Sequence, residues 1–495
     1  MHYYTKWIKN PCSRCRRNQT TTKSIKTPNF AAKQPIMVPT YRKDTIAAIA
    51  TPQGIGALGI VRVSGPDAIV KINGLFPNKD LETIKSHTLH FGPIIHEGEL
   101  IDEVLISVFR APHSFTGENS VEISCHGSPY ILQKLMEALA AIGISPAEPG
   151  EYTLRAYLNG RMDLSQAEAV ADLIAAESKA AHDTAMQQMR GGFSLKIKEL
   201  RAQLLYFASL IELELDFAEE DVEFADRGTL INLLDTTYME AAKLAASFQL
   251  GNAIKSGVKV VIAGRPNAGK STLLNALLNE ERALVSDIPG TTRDSIEDVL
   301  VVDGIKFRFI DTAGIRDPAE TIERMGIART FEKIKEADII VYLYDVNTTS
   351  PQMLRDDIET FEGKNKIILV GNKIDSAQED KAPFETGFQF PSVQISAKKG
   401  LHIDAFKSLL IQSLDLAHVM PTGQETIVTN IRHFNSLNHV LMAIDQIRAG
   451  LQLHITGDLL AADIKSALRS MAEITGEITS DEILGNIFGK FCIGK

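Results

Sequence analysis

The sequence predicts a multidomain chain: an α+β N-terminal domain, a discontinuous α-helical domain, and an α/β P-loop domain inserted into the latter. Three observations predict it. The first is a glycine-rich loop, Gly264–Ser271, between the apolar run Val260–Ala263 and the helix-like run Thr272–Leu278. The second is β-type alternation before Gly160. The third is a pair of helical-stripe regions on either side of the loop domain, neither of which looks able to bury its apolar face alone.

Gly264-Arg265-Pro266-Asn267-Ala268-Gly269-Lys270-Ser271 matches G-x-x-x-x-G-K-[ST] in the context of strand, loop and helix N-terminus that makes a phosphate cradle. Its glycines let backbone N–H groups approach phosphate. Lys270 adds a point charge near the β/γ-phosphates, and the Ser271 hydroxyl suits Mg²⁺. Asn267, Ala268, Gly269 and Thr272 complete the predicted contacts.

Four further segments follow in order. Gly290-Thr291-Thr292-Arg293-Asp294 offers Thr292 as a second hydroxyl ligand of Mg²⁺. Asp311-Thr312-Ala313-Gly314 ends the strand-like Phe307–Ile310, with its Asp placed for Mg²⁺ and its Gly N–H for the γ-phosphate. Asn372-Lys373-Ile374-Asp375 ends Ile367–Val370, and the Asp375 carboxylate can accept from guanine N1–H and the 2-amino group, which adenine lacks. Ser396-Ala397-Lys398 suits guanine O6. The set predicts GTP and an α/β P-loop GTPase domain over residues 257–416. Ile315 stands where small GTPases often carry a water-orienting Gln, so another group must position the nucleophile. Glu323 and Arg316 are the nearby candidates, against the plainer reading of solvated loop charges. The Asn267 amide oxygen can coordinate a monovalent cation where an arginine finger would otherwise place charge.

With 495 residues the chain is long enough for about three domains. No apolar run approaches a membrane span. Four Cys make no disulfide framework and suit a reducing interior. Residues 1–43 hold ten Lys/Arg and no acid, which leaves 42 basic against 62 acidic residues in the body. Such a body is no general nucleic-acid binder, so any RNA contact needs a local patch or a partner. Residues 1–36 read as a basic disordered extension. Either it precedes a true start at Met37 in a cytoplasmic protein, which is the favoured reading, or it is a mitochondrial transit peptide.

Asp44–Ala50 predicts a strand. Gly54, Gly56 and Gly59 match a dinucleotide fingerprint, but Ile60–Ser64 alternates as a strand where a helix is required, so NAD and FAD are rejected here. Glu103–Phe109 and Val121–Ser124 predict strands, and a helix begins near Tyr130. Ser165 with Glu168 predicts a capping box opening a helix that runs to about Met189, broken by Gly191-Gly192. Leu200, Leu204, Phe207 and Ile211 form the next stripe, and a third helix is predicted to end before Gly251. After the insert, Phe434, Leu437, Leu441 and Ile444 make one stripe, and Leu460, Ile464, Leu468 and Met471 another; Thr479 with Glu482 predicts the cap of the last helix. Asp303-Gly304 predicts a hairpin turn in the insert. The final Cys492-Ile493-Gly494-Lys495 fits C-a-a-X prenylation badly; an idle Cys on a frayed tail and a reactive thiol both stand open.

From about residue 40 onward, these marks, with the early Thr51-Pro52-Gln53-Gly54-Ile55-Gly56 turn and the terminal Cys-Ile-Gly-Lys, resemble the tRNA modification GTPase MnmE (TrmE) family. The resemblance implies a folate-binding and dimerisation domain (37–160), a helical domain in two halves (161–256 and 417–495), and the GTPase insert. It implies a reduced folate (a tetrahydrofolate derivative) held by Arg62, Glu122, Arg161 and Lys495, with His126 a structural neighbour. It implies K⁺ caged by Asn267, Ser286, Ile288 and Thr291, with Asp287 and Pro289 in the same nucleotide-binding loop. Ser286 replaces a Thr of some relatives and Pro289 a commoner Ala, which leaves the loop's flexibility open. Glu323 maps to the family's water-orienting Glu, and Cys492 to its functional Cys. The implied assembly is a homodimer joined to FAD-containing MnmG as a heterotetramer, acting on tRNA. The implied product is a carboxymethylaminomethyl or aminomethyl group at C5 of the wobble uridine. A regulatory GTPase switch, for instance in ribosome assembly, is the competing reading of the GTPase motifs alone.

Overall fold

The computed structural model describes residues 44–216, 227–279, 298–310, 337–359, 361, 366–377, 389–414, 426–453, 455 and 457–494. The first part contains β1 (Ile46–Ile49), β2 (Leu58–Ser64), α1 (Ala68–Asn73), β3 (Thr88–His96), β4 (Glu99–Phe109), β5 (Ser120–His126), α2 (Pro129–Ala141), β6 (Ser145–Pro146) and α3 (Glu151–Leu158). Its sheet has the order β3-β4-β5-β2-β1-β6, antiparallel except for β1 with β6. Period-2 alternation sends Val61, Val63, Val121, Ile123 and Cys125 into a core shared with Ile69 and Ile72 of α1 and Leu135 of α2. The same alternation sends Arg62 and Glu122 to the opposite face, where they are direct cross-strand partners. Strand β3 escaped the sequence reading because Gly92-Pro93 interrupts its alternation.

The helices that follow are α4 (Leu164–Ile174), α5 (Lys179–Met189), α6 (Gly192–Asp216), α7 (Arg227–Ala246) and α8 (Phe248–Ser256). The expected single helix to Met189 is two. Ser178 ends the break by accepting from the Ala181 N–H and capping α5. The expected Ser165–Glu168 box is also corrected. Asp163 accepts from the Gln166 N–H while Gln166 accepts from the Asp163 N–H, so the helix starts earlier. Ser165 and Glu168 are buried instead. The third helix, α7, does end before Gly251, and Gly251 itself lies inside the next helix, α8. The reason is packing: a methyl group on Gly251 would stand 2.0 Å from the Val428 carbonyl oxygen, so only glycine lets α8 meet the segment that leaves the insert.

The nucleotide part contains β7 (Val258–Ala263), α9 (Lys270–Asn279), β8 (Asp298–Val302), β9 (Ile305–Phe309), β10 (Ile339–Asp345), α10 (Pro351–Glu359), β11 (Lys366–Asn372), β12 (Ser392–Gln394) and α11 (Ile403–Gln412). Its sheet has the order β12-β11-β10-β7-β9-β8, and only β8 runs antiparallel. The central strands β7 and β10 are almost wholly buried, as parallel strands covered on both faces must be. The predicted turn Asp303-Gly304 joins β8 to β9 with φ of 50° and 82°.

The chain then returns to helices: α12 (Ile431–Gln452), α13 (Gly457–Thr475) and α14 (Asp481–Phe488). Ser480, not Thr479, caps α14 by accepting from the Ile483 N–H. One core joins Phe193, Leu200, Leu204, Phe207 and Ile211 to Leu437, Ile444, Leu460, Ile464 and Met471. The helices before and after the insert therefore pack together, and the architecture is the predicted α+β, discontinuous α-helical and inserted α/β combination. Glu168 stitches the two sets. Its carboxylate accepts from Asn430 Nδ2 (2.9 Å) and Arg432 Nη2 (2.8 Å) and lies 2.7 Å from His433 Nε2. Burial opposes its ionisation, yet His433 and Arg432 outweigh burial and hold it well below the usual carboxylate range. No described helix is long and apolar enough to cross a membrane.

Gly251→Ala is expected to cost about 2–3 kcal/mol, measured by denaturant unfolding, because backbone opposes the new methyl. Gly485→Ala in α14, which meets nothing within 4 Å, is the control and is expected to be neutral or slightly stabilising.

Candidate functional site

The strand order places Gly264 and Ser396 just beyond the carboxyl ends of β7 and β12 and Asn372 at the carboxyl end of β11, the edge where open α/β sheets bind ligands. The loop from Gly264 to Gly269 is built from unusual backbone. Gly264 has φ +145°, and a methyl group there would stand 2.1 Å from the Leu343 carbonyl oxygen. Asn267 takes φ +60° and Gly269 φ +99°. Leu273, Leu274 and Leu277 anchor α9 in the sheet's core, so its exposed first turn, with Ser271 and Thr272, faces outward beside the loop. The unpaired N–H groups of that turn favour anions. Lys270 Nζ donates to Gly264 O (2.8 Å) and Arg265 O (3.1 Å). Burial lowers its pKa, so its charge is poorly solvated and gains from an anion nearby. These donors fit a nucleotide's phosphates.

Asn372 fastens the loop to the rest of the site. Its Nδ2 donates to Ala268 O (2.8 Å), and its Oδ1 accepts from the Ala397 N–H (3.0 Å). One buried amide thus ties the phosphate loop to the Ser396-Ala397-Lys398 loop. Asp375 is exposed, and its Oδ1 accepts from Ser396 Oγ at 2.6 Å. That bond, ahead of Lys399 and Lys398, keeps its carboxyl below the usual range and therefore ionised. Lys373, at φ +69°, pairs with Asp345 at the end of β10 (2.9 Å). An anionic acceptor beside a phosphate cradle is what guanine's N1–H and 2-amino group require.

The structure thus brings together Asn267 to Thr272 with Asn372, Lys373, Asp375, Ser396, Ala397 and Lys398. Ser286, Asp287, Ile288, Pro289, Gly290, Thr291, Thr292, Asp311, Thr312, Ala313, Gly314, Arg316, Glu323 and Lys495 lie outside the described residues.

A second cluster forms where the chain's end meets the first sheet. Arg62 donates to Glu122 Oε1 (Nε 2.9 Å, Nη2 2.8 Å) and reaches Gly494 O at 3.5 Å. Its guanidinium lies 5.8 Å from the Phe115 ring centroid and 5.7 Å from that of Tyr152. A methyl group on Gly494 would stand 2.6 Å from Ile49 O, and Cys492 O accepts from the Gly150 N–H at 3.5 Å. The tail is docked rather than frayed, and Cys492 is exposed there. Arg161 is exposed, with its methylenes against Gly117 in the loop that also carries Phe115. His126 is held by Asp102 at 2.9 Å, away from Glu122. The sequence reading missed Arg155, a buried cation between Asp44, Glu118 and Glu151. The i,i+4 spacing of Glu151 and Arg155 was its only visible signal.

A mostly parallel sheet with these loops at its carboxyl edge defines a P-loop GTP-binding hydrolase. The model of the MnmE helical domain matches residues 164–492, and that of the GTP-binding protein TrmE N-terminus matches residues 45–161. The tRNA modification GTPase MnmE of Cytophaga hutchinsonii is 50% identical over 458 residues, 92% of this chain and 99% of that protein. Its namesake from Bacteroides fragilis is 52% identical over 466 residues, 92% of this chain and 100% of that protein. The chain belongs to the tRNA modification GTPase MnmE family. The solved G domain of the T. maritima FeoB iron transporter also matches 32% of the chain at 28% identity, with a TM-score of 0.24, too loose a likeness to weigh.

Asn372→Ala removes two buried hydrogen bonds and strands the Ala397 N–H. The expected cost is about 1–3 kcal/mol in stability of the nucleotide part, with weaker GDP binding, read by thermal unfolding with and without GDP.

Proposed function

We propose that the chain hydrolyses GTP in a K⁺-dependent manner to drive, with an FAD-containing partner, addition of a carboxymethylaminomethyl or aminomethyl group to C5 of the wobble uridine of certain tRNAs. A reduced folate supplies the one-carbon unit. The carrying observation is the docking of the Cys492–Gly494 tail beside Arg62 and Glu122, on the face of the first sheet opposite α1 and α2. A nucleotide switch alone has no use for a thiol returned to a distant domain. Arg62, flanked by the Phe115 and Tyr152 rings, supports the folate reading, because aromatic faces and a cation suit a flat heterocycle with an anionic tail. Phe91 and Leu105 face each other across β3 and β4 and are both exposed, which supports a dimer through this domain.

In this reading Lys270 and the loop N–H groups bind the phosphates, and Ser271 with Thr292 holds Mg²⁺. Asn267, Ser286, Ile288 and Thr291 hold K⁺, which supplies positive charge where phosphoryl transfer concentrates negative charge. Asp311 to Gly314 sense the γ-phosphate, and Glu323 orients the attacking water. Asp375 reads the guanine edge with Ser396 to Lys398 around O6. Arg161 and Lys495 join the folate contacts, and Cys492 serves the modification step. The segments 37–160, 161–256 with 417–495, and 257–416 are the corresponding working units.

The deciding experiment is nucleoside analysis of tRNA from a strain lacking the gene. The C5 wobble modifications should vanish and return with the intact gene; unchanged nucleosides would sink the proposal. Replacing K⁺ by Na⁺ should lower GTP turnover steeply while leaving GDP affinity nearly unchanged, measured on the purified chain; equal turnover in both salts removes the cation cage.

A further inference from the structure

Arg265, the second residue of the phosphate loop, sends its side chain out of the loop. Its Nε donates to Asp357 Oδ2 at 2.7 Å and its Nη2 to Asp357 Oδ1 at 3.0 Å, a bidentate pair across to α10. The Tyr342 hydroxyl on β10 donates to the same carboxylate. These hydrogen bonds, Arg265 first, hold the Asp357 carboxyl below the usual carboxylate range despite its burial. Asp357 is held firmly, because Leu354 and Ile358 of α10 lie in one core with Tyr342, Val261 and Ala263. The Arg265 carbonyl accepts from the Ala268 N–H (3.3 Å) and from Lys270 Nζ (3.1 Å). Whatever fixes Arg265 therefore fixes the carbonyl on which the loop turns and against which the phosphate-binding lysine rests. Asn372 grips the far shoulder at Ala268.

We infer that Arg265, Asp357 and Tyr342 form a clamp that holds the phosphate loop in its nucleotide-ready shape, with Asp357 and Tyr342 acting as positioning residues for nucleotide binding. The clamp touches no phosphate itself. Preorganising the loop lowers the conformational cost of binding, so its loss weakens GDP and GTP alike. This rests on the nucleotide reading of the loop.

The test is fluorescent GDP and GTP affinity of the full chain carrying Arg265→Ala, Asp357→Ala, both together, or Tyr342→Phe. Each Ala variant should bind both nucleotides about fivefold more weakly, and the double variant no worse than either single one. Tyr342→Phe keeps the packing, removes only the hydroxyl and should lose about twofold. The unfolding temperature without nucleotide should stay within about 2 °C of the parent. Single variants that bind like the parent, or losses that multiply in the double variant, overturn the clamp. An unfolding temperature that falls in step with affinity overturns it too, since the pair then only holds α10. A parent chain that binds no guanine nucleotide defeats the loop reading itself, a separate outcome from failure of the clamp.

Discussion

The close approach of Gly251 to the Val428 carbonyl is the constraint on which the architecture depends. It brings the chain entering the nucleotide part beside the chain leaving it, so a whole α/β unit is inserted without parting the helices around it. Gln188 of α5 reinforces the junction by donating to Ile427 O at 2.8 Å. Helix α8 belongs to both sides. Phe248 stacks on Phe434 of the helical core at 4.6 Å, while Leu250, Ala253 and Ile254 lie in the core of the nucleotide sheet. A helix packed into two cores cannot move with one and ignore the other.

A second contact joins the same parts. Ser178 Oγ donates to Gly304 O at 3.0 Å at the β8–β9 turn, and Lys306 pairs with Glu177. The strands of that hairpin continue in sequence from the Gly290–Asp294 segment and into the Asp311–Gly314 segment. The turn rests on the start of α5, so the hairpin is a direct physical link between the loops expected to sense the γ-phosphate and the helical bundle. The phosphate loop itself is stiff: Gly264 is pressed onto β10, and Asn372 holds Ala268. Rigidity at the cradle with connection at the hairpin is an arrangement suited to passing a switch outward.

Much of this was legible in the residues. The loop Gly264–Ser271 and the segments Asn372–Asp375 and Ser396–Lys398 announce themselves because backbone geometry and base recognition demand particular residue types at short spacing. The helical stripes Leu200 to Ile211 and Leu460 to Met471 were legible because burial follows the helical period. Helix starts were less so. Ser165–Glu168 and Thr479–Glu482 carry the right residue types, but Asp163 and Ser480 made the bonds, since several polar residues near a helix start compete and local geometry selects one. Gly251 read as punctuation, but its purpose is contact with a residue 177 positions later, which no local window contains.

The sequence by itself determined the chemistry of the nucleotide loops, the alternation that puts Arg62 and Glu122 on one sheet face, and the need of two incomplete helical sets for each other. Those properties arise from short-range spacing and side-chain type. Only the tertiary structure decided that Glu168 meets Arg432 and His433, that Arg265 leaves its loop for Asp357, and that the Cys492 tail returns to Arg62. Each of those pairings joins residues far apart in the chain, and the choice among possible partners is made by how the layers pack.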